Sequence, residues 1–357
     1  MNELCKTHVD ACRFCWMCRH ICPIGNATGL ERNTARARAL GLSLVNRGTF
    51  TLSDVIDNVY ECACCGGCTN DCATGFDPVM FIRAARLDAA LGGILPDYIA
   101  PLVDNCLDIG NPYGKTETDA VLKKAIDAHA EKTDTVLFLG TDARYMASGC
   151  AVKAIKAVEK TGVPFTVLPD EKPSGAALDY LIGAADETKK QAEDCAASLA
   201  AFDTVIVYDP ADAVMLKRRY KEYGVAVKPK IVTFTAFLAD KLDALKPEKK
   251  DMKVVYQDPF ALSRDLGETE EPRKIIRAYA ELSEMLVHGK DTIWAGGILQ
   301  GQWMADVMKA VASRRLDSVK SIGVDTVVTA SVSEYMSMKA ATRDDVTVLS
   351  VEELIFG

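Results

Sequence analysis

Apolar residues recur at helical spacing through the first hundred positions of the chain. The segments TARARAL and TLSDVIDNVYEC both carry apolar side chains three and four residues apart. The stretch FDPVMFIRAARLDAALGG begins with Asp77-Pro78 and ends in two glycines, which are typical start and stop signals of a helix. We therefore predict one or two helices within 27–58 and another over 76–93.

From about residue 134 the pattern changes to short apolar runs that alternate with longer amphipathic segments. Buried strands are predicted at DTVLFLG, PFTVL, DTVIVYD, KVVYQDP and DTVVTAS. Helices are predicted at CAVKAIKAVEKTG, TKKQAEDCAASLAAF, PRKIIRAYAELSEML and MADVMKAVASRRLDSVKSIG. This alternation is typical of a parallel sheet covered by helices, which is an α/β fold.

The α/β pattern occurs twice. FDTVIVYDPADAVMLKR resembles VDTVVTASVSEYMSMKA, and the charged segment LKPEKKDM separates the two halves. We interpret this echo as an internal duplication. The predicted fold class is multidomain α plus α/β, with an α-helical domain over 1–115, a first α/β repeat over 116–248 and a second over 249–357.

Composition and charge narrow the function classes. The chain has 357 residues, 49% of them hydrophobic and 26% charged, and a net charge of -8. Scattered basic residues and a negative charge argue against nucleic-acid binding, which needs clustered Lys and Arg. Neither a signal peptide nor an apolar run of roughly 18 residues is evident. We therefore expect a cytoplasmic protein that is not integral to a membrane.

Cysteine spacing is the strongest chemical signal, since ten of the thirteen cysteines lie within residues 5–72. Two groups share the pattern C-x2-C-x2-C-x3-C, the first at 12–22 and the second at 62–72. Bacterial ferredoxins use this spacing for 4Fe-4S clusters, and the fourth cysteine of each group ligates the other cluster. The prediction is two 4Fe-4S clusters, the first on Cys12, Cys15, Cys18 and Cys72, and the second on Cys62, Cys65, Cys68 and Cys22.

Several neighbouring features leave alternatives open. Zinc also binds paired cysteines, but it needs two pairs rather than two quartets with an x3 step. Cys64 and Cys5 are surplus thiols, interpreted as free or packed near a cluster. Arg36 and Arg38 could offset cluster charge, although a solvated helix face is the favoured interpretation.

NTARARAL, VYECACCGGCTNDCATGFDPVMFIRAARL and NCLDIGNPYG resemble segments of a known family. It includes glycolate oxidase iron-sulfur subunits, the anaerobic glycerol-3-phosphate dehydrogenase small subunit and heterodisulfide reductase subunits. The resemblance covers nearly the whole chain. It implies two C-terminal repeats, each with a Cys-Cys-Gly motif that in some relatives binds a cluster able to split a disulfide.

Those C-terminal cysteines are absent from this chain. Pro173-Ser174-Gly175 and Ala295-Gly296-Gly297 stand at the Cys-Cys-Gly positions, and Gln257-Asp258-Pro259-Phe260 replaces a His-Asp-Pro-Cys segment. TASVSEY replaces a further cysteine segment. We therefore expect no third cluster and no disulfide chemistry, and we interpret Cys106, Cys150 and Cys195 as buried small side chains.

The expected function is an electron-transfer subunit, with no catalytic residues of its own. Its two clusters would relay electrons between a flavin-dependent dehydrogenase subunit and a further acceptor, a protein or a quinone, in a hetero-oligomer typical of anaerobic metabolism. Two alternatives remain: the catalytic subunit of a disulfide reductase, and a structural or redox-sensing iron-sulfur protein.

Overall fold

Helices form the first part of the chain, as predicted. A computed structural model describes residues 3–342 and 344–356, except for the side chains of residues 3–5 and 8. The N-terminal helices are α1 (Glu3–Ala11), α2 (Pro23–Thr28), α3 (Ala35–Asn46), α4 (Ile56–Tyr60), α5 (Gly67–Asn70), α6 (Pro78–Leu91) and α7 (Ala100–Ile109). Helix α6 begins and ends where the sequence predicts, because the Asp77 side chain accepts from the Val79 N–H and Gly92 follows the last turn.

A three-stranded parallel sheet follows, with strand order β1-β2-β3. Its strands are β1 (Thr135–Phe138), β2 (Thr204–Val207) and β3 (Lys230–Thr233). The helices of this part are α8 (Ala120–Asp127), α9 (Thr141–Met146), α10 (Ser148–Lys160), α11 (Ala176–Ile182), α12 (Asp186–Leu199), α13 (Pro210–Val214), α14 (Tyr220–Glu222), α15 (Phe234–Asp240) and α16 (Leu242–Leu245). A π-helical segment, Met215–Arg219, joins α13 to α14.

A second parallel sheet has four strands in the order β5-β4-β6-β7. Its strands are β4 (Lys253–Gln257), β5 (Glu281–Ser283), β6 (Thr326–Thr329) and β7 (Thr347–Ser350). The helices are α17 (Glu270–Tyr279), α18 (Ile298–Lys320), α19 (Val332–Ala341) and α20 (Val351–Phe356), with a π-helical segment at Ala261–Leu266 and a 3-10 turn at Gly289–Asp291. The alternation of strands and helices is confirmed.

Two secondary-structure predictions are wrong. PFTVL forms only a single bridge, Val136 to Thr166, at the free edge of β1. The second half of PRKIIRAYAELSEML is not helical, because α17 ends at Tyr279 and β5 then pairs with β4. Both errors concern edge positions, where pairing with a neighbour rather than local pattern decides the structure.

The helical part is joined to both sheets by shared packing. Helix α11 contributes Leu178, Leu181 and Ile182 to the core of the N-terminal helices. Helix α18 packs against α2, and Trp294 and Met308 share a small core with Cys65. The second cysteine group is therefore held between the N-terminal helices and the C-terminal sheet. Within the described residues, no helix combines the length and apolar character needed to cross a bilayer.

Candidate metal centre

The first cysteine group lies on a loop that turns a backbone N–H toward a sulfur. The loop leaves α1 at Ala11, and Phe14 adopts a φ of 51°, a left-handed conformation that is unusual for an aromatic residue. In this conformation the Phe14 N–H donates to Cys12 Sγ at 3.4 Å. A strained residue held in place by its surroundings is a common feature of functional sites.

The second group repeats the same local geometry. Cys64 stands where Phe14 stands in the first group, and it has the same φ of 51°. Its N–H donates to Cys62 Sγ, also at 3.4 Å. Gly66, in the left-handed region with φ 72°, then leads into α5. The two loops are therefore conformational copies and not merely copies in spacing.

The fourth cysteine of each group is also supplied with hydrogen-bond donors. Cys22 caps α2, where its Sγ accepts from the Gly25 N–H at 3.5 Å. Cys72 Sγ accepts from the Phe76 N–H at 3.3 Å and lies 3.3 Å from Thr74 Oγ1. Burial opposes ionisation of Cys72, but these donors hold the pKa of its thiol below the ordinary value. Such donors stabilise thiolate sulfur.

Cys12 of the first group has Cys72 as a neighbour, whereas Cys18 has Cys22 of its own group as a neighbour. Burial raises the pKa of Cys12, and nearby Cys15 and Cys72 raise it further. Burial, followed by Cys12 and Cys15, raises the pKa of Cys18 to about 11. Cys72 thus interacts with Cys12, although 60 residues separate them in the sequence.

The thiols of the second group have Cys22 as a neighbour. Burial raises the pKa of Cys68 well above its ordinary value, and Cys62, Cys65 and Cys22 add to the effect. Burial likewise raises the pKa of Cys65 to about 11, with smaller contributions from Cys22 and Cys62. Cys18 also interacts with Cys68. The two groups of thiols therefore adjoin each other.

Buried thiols that lie close to one another are suited to binding iron. Iron takes up cysteine as thiolate, so the positive metal offsets both the burial and the mutual repulsion that raise these pKa values. Within the described part of the chain, no three Cys, His, Asp or Glu side chains converge closely enough to hold one metal ion. Zinc needs four ligands within about 2.3 Å of one centre, whereas a 4Fe-4S cube takes each thiolate at a different iron.

Cys64 lies beside Cys62 and interacts with it. The sequence alone left the role of Cys64 undecided. The Cys64 thiol donates to the Cys62 sulfur, and this bond, with Arg38 and Arg86 nearby, lowers the pKa of Cys62 to about 5 despite its burial. The same bond and burial raise the pKa of Cys64. The prediction for Cys5 lies outside the described side chains.

Two buried arginines lie behind the second group. Arg38 is 2% exposed, with Nη1 4.0 Å from Cys22 Sγ, so the expectation of a solvated helix face is wrong for this residue. Fully buried Arg86 donates to the carbonyl of Cys62 at 2.7 Å and stacks on the Tyr180 ring. These fixed positive charges favour any negative charge that the neighbouring sulfurs carry.

The two groups differ in their distance from solvent. Cys15 is exposed, and beside it Trp16 and Met17 expose 57% and 50% of their surface. Cys65, at the equivalent position of the second group, is only 8% exposed and is covered by Arg264, whose Nη1 donates to its carbonyl at 2.7 Å. Cys15 therefore lies at the surface and Cys65 in the interior, whereas the other six cysteines of the two groups are partly buried.

Residues 8–76 match the 4Fe-4S dicluster domain family. The chain is 23% identical to a fumarate reductase (CoM/CoB) subunit of Methanothermobacter marburgensis, over 96% of this chain and 71% of that protein. It is 24% identical to a heterodisulfide reductase subunit of Methanosarcina acetivorans, over 89% and 85% of the two chains. A probable membrane-anchored ferredoxin of Chromohalobacter salexigens is 25% identical over 77% of this chain and 42% of that protein.

Residues 8–76 therefore form a 4Fe-4S dicluster domain, and most of the chain is similar to subunits of reductases. The family resemblance inferred from the sequence is thereby confirmed, and so are the predictions of iron-sulfur binding and of a redox role. The isolated cysteines of this iron-sulfur subunit are buried, as predicted: Cys106 is 2% exposed, Cys150 6% and Cys195 0%.

The structure brings together residues that sequence spacing could not connect. Pro173, Phe260 and Ser331, all from segments where the family resemblance leads one to expect cysteines, line a single cavity. Cys64 lines the same cavity. Arg86 and Arg264 were also missed, because their roles depend on carbonyl groups far away in the sequence.

Proposed function

We propose that this iron-sulfur subunit relays electrons through two 4Fe-4S clusters within a larger oxidoreductase complex. The first cluster is held by Cys12, Cys15, Cys18 and Cys72, and the second by Cys62, Cys65, Cys68 and Cys22. Bound clusters would supply one-electron chemistry with little rearrangement, while the chain positions them and tunes their charge.

The proximity of the two groups of thiols to each other supports this proposal. Cys72 interacts with Cys12 of the other loop, and Cys22 interacts with Cys65 and Cys68. The interaction of Cys18 with Cys68 brings the two groups next to each other, as a relay requires. The relatives named above are subunits of a fumarate reductase and of a heterodisulfide reductase, which supports a role within a reductase complex.

Single serine variants test the ligand sets, because two cysteines that hold the same cluster should remove the same spectroscopic signal when either is replaced. We expect Cys12→Ser and Cys72→Ser to remove the same cluster signal in electron paramagnetic resonance of the reduced protein. Cys62→Ser and Cys22→Ser should both remove the other signal. If Cys12 instead shares its loss with Cys22, and Cys62 with Cys72, the clusters are not crossed and the proposed ligand sets are wrong.

Cys106→Ser is the matched control, because Cys106 is a buried cysteine of the same helical part with no proposed ligand role. It should retain about eight irons per chain, the content of two 4Fe-4S clusters. A substantially higher iron content of the unaltered chain would instead favour a catalytic disulfide reductase with a further cluster.

We further propose that an acidic redox partner, a flavin-dependent dehydrogenase subunit, docks beside the first cluster. Besides the buried Arg38, five arginines and one glutamate lie between positions 12 and 47, although the whole chain has a charge of -8. Arg36 and Arg19 lie over the exposed Trp16 ring, at 4.4 Å and 5.5 Å. An exposed aromatic residue framed by arginines is typical of the centre of an interface with a negatively charged protein.

The docking surface can be tested on the purified complex. Trp16→Ala should slow reduction of the clusters by the partner and its substrate, while reduction by dithionite stays unchanged. Phe50→Ala serves as control, because Phe50 is exposed to 43% but lies outside the cysteine loops. Equal rates for Trp16→Ala and the unaltered chain would place the partner elsewhere.

The domain boundaries at 1–115, 116–248 and 249–357 and the duplication also remain proposals. They are supported by strand order: counting the bridge at Thr166, the first sheet runs bridge-β1-β2-β3, and the second runs β5-β4-β6-β7. In each sheet the second element in chain order is an edge partner of the first. Separate expression of 116–357 tests whether this part folds without the cysteine groups.

A further inference from the structure

A cavity of about 200 Å³ lies where the N-terminal helices meet both sheets. Cys64, Val79 and Arg83 form the wall nearest the second cysteine group. The opposite walls come from the two α/β parts and include Phe260 and Trp294. The cavity is smaller than a typical drug-sized site of roughly 300–1,000 Å³, so it would hold only a small molecule.

The carboxyl ends of strands from both sheets lie next to this cavity. Asp142 follows β1, Asp209 follows β2, Phe260 follows β4 and Ser331 follows β6, and all four residues line it. In open parallel α/β sheets, ligands bind outside the carboxyl ends of the strands. Here two sheets contribute such ends to one space.

Three carboxyl groups crowd one wall. Burial and then repulsion by Asp142 raise the pKa of Asp209, while burial and then repulsion by Asp209 raise the pKa of Asp212. Ser174 donates to Asp212, and Tyr113 donates to Asp142. The raised pKa values mean that these carboxyl groups tend to hold protons while the cavity is empty, and a bound cation would favour their ionised form.

Asp209 has an oxygen available to a ligand. Its side chain is 5% exposed and lines the cavity. One oxygen, Oδ1, accepts from the Ala211 N–H at 2.7 Å and caps α13, whereas Oδ2 is buried with no hydrogen-bond partner among the described residues. A buried carboxylate oxygen without a partner is costly, so its presence calls for an occupant.

The two arginines of the cavity wall are already paired elsewhere. Arg83 forms an ion pair with Asp179, and Arg219 pairs with Glu222 at 2.8 Å. Their charges are thus offset by carboxylates of their own, although Arg83 Nε is buried without a hydrogen-bond partner among the described residues. Phe260, Trp294 and Leu299 form an apolar and aromatic side, which suits the hydrocarbon part of a ligand, and Gln300, Ser331 and Glu334 also line the cavity.

We propose that this cavity binds a small organic cation, whose ammonium group contacts Asp209 and whose apolar part lies against Phe260 and Trp294. An ammonium would donate a hydrogen bond to the unpartnered oxygen and would favour the ionised form of the crowded carboxyl groups. A divalent metal ion fits less well, because no three acidic, His or Cys side chains of the described residues are arranged to hold one. The aromatic walls add cation-π attraction.

Isothermal titration calorimetry of the anaerobically isolated, iron-loaded chain tests the proposal. The probes are n-butylammonium, n-butyrate, 1-butanol and Mg²⁺, of which the first three each have four carbons and differ in the charge of their polar group. We expect n-butylammonium alone to bind, and Asp209→Asn to weaken it by roughly tenfold or more, because a charged hydrogen-bond partner is lost. The amide keeps the helix cap, so the fold is retained.

Asp203→Asn is the matched control, since Asp203 is exposed at the opposite end of the same strand, β2. It should leave the affinity unchanged. Without ligand, Asp209→Asn should melt at the same temperature as the unaltered chain or higher, because it removes a buried repulsion, whereas a purely structural Asp209 would make the variant less stable.

Three results would overturn the proposal: no heat from n-butylammonium, equal binding of n-butyrate or 1-butanol, or a Mg²⁺ affinity that Asp209→Asn abolishes. Iron content, measured on every sample, keeps this test separate from the relay. A chain that holds its clusters but binds no cation contradicts the cavity proposal alone.

Discussion

Arg38→Gln should lower the midpoint potential of the second cluster. Arg38 is buried on α3, its Nη1 lies 4.0 Å from Cys22 Sγ, and its Nε donates to the Asn58 carbonyl at 2.8 Å. Reduction adds negative charge to the cluster, and a nearby positive charge stabilises the reduced state. Replacing the guanidinium by a neutral amide removes that stabilisation while keeping an N–H donor near the position of Nε.

The distance sets the size of the effect. Two unit charges 4 Å apart interact by about 4 kcal/mol at an effective dielectric constant near 20. The added electron is spread over the cube, beyond the sulfur, so we expect a quarter to a half of that value, about 1–2 kcal/mol. For a one-electron couple this corresponds to a decrease of about 40–90 mV.

Redox titration followed by electron paramagnetic resonance measures both potentials. Arg47→Gln is the control, because Arg47 ends the same helix but is exposed. It should leave both potentials within about 10 mV, since solvent screens exposed charges. Unchanged potentials in Arg38→Gln, at full iron content, would refute the reasoning, and so would a shift confined to the first cluster.

Three further variants probe the loops and the cavity. Cys64→Ala should keep about eight irons but lower the potential of the second cluster, because the Cys62 sulfur loses a donor; loss of iron would make Cys64 a ligand. Gly66→Ala should destabilise the chain by about 1 kcal/mol in denaturant unfolding, because φ is 72°, whereas Gly149→Ala, in open space, should not. Burial raises the pKa of Glu334 from 4.5 to about 8, so its contribution to stability is full below about pH 4.5 and is lost as the pH rises through 8. Glu334→Gln should flatten the fall in melting temperature over that range, and an unchanged slope would contradict the assignment.

Local pattern predicted most of the fold. Helix α6 follows from Asp77-Pro78 and the glycines beyond its end, and the central strands β2 and β6 follow from apolar runs. The elements at the sheet edges could not be predicted from local pattern. Strand β5 has three residues, and the PFTVL segment forms only one bridge, because an edge segment has a single neighbour to fix its conformation.

The cysteine spacing predicted the candidate ligands, since a loop that carries thiols three apart has few other uses. It could not predict that Arg38 is buried, because the pattern of α3 is equally that of a solvated helix. The cavity could not be predicted from the sequence either. Asp142, Asp209 and Glu334 meet there only through the packing of two sheets against the helical part.

Mössbauer spectroscopy of the anaerobically isolated, ⁵⁷Fe-enriched chain, together with its iron and sulfide content, tests the central claim most directly. Two clusters predict about eight irons and eight sulfides per chain, with all iron in the 4Fe-4S form. Stoichiometric zinc, iron without sulfide, or persistence of the same cluster in both Cys12→Ser and Cys62→Ser would contradict two clusters with separate ligand sets.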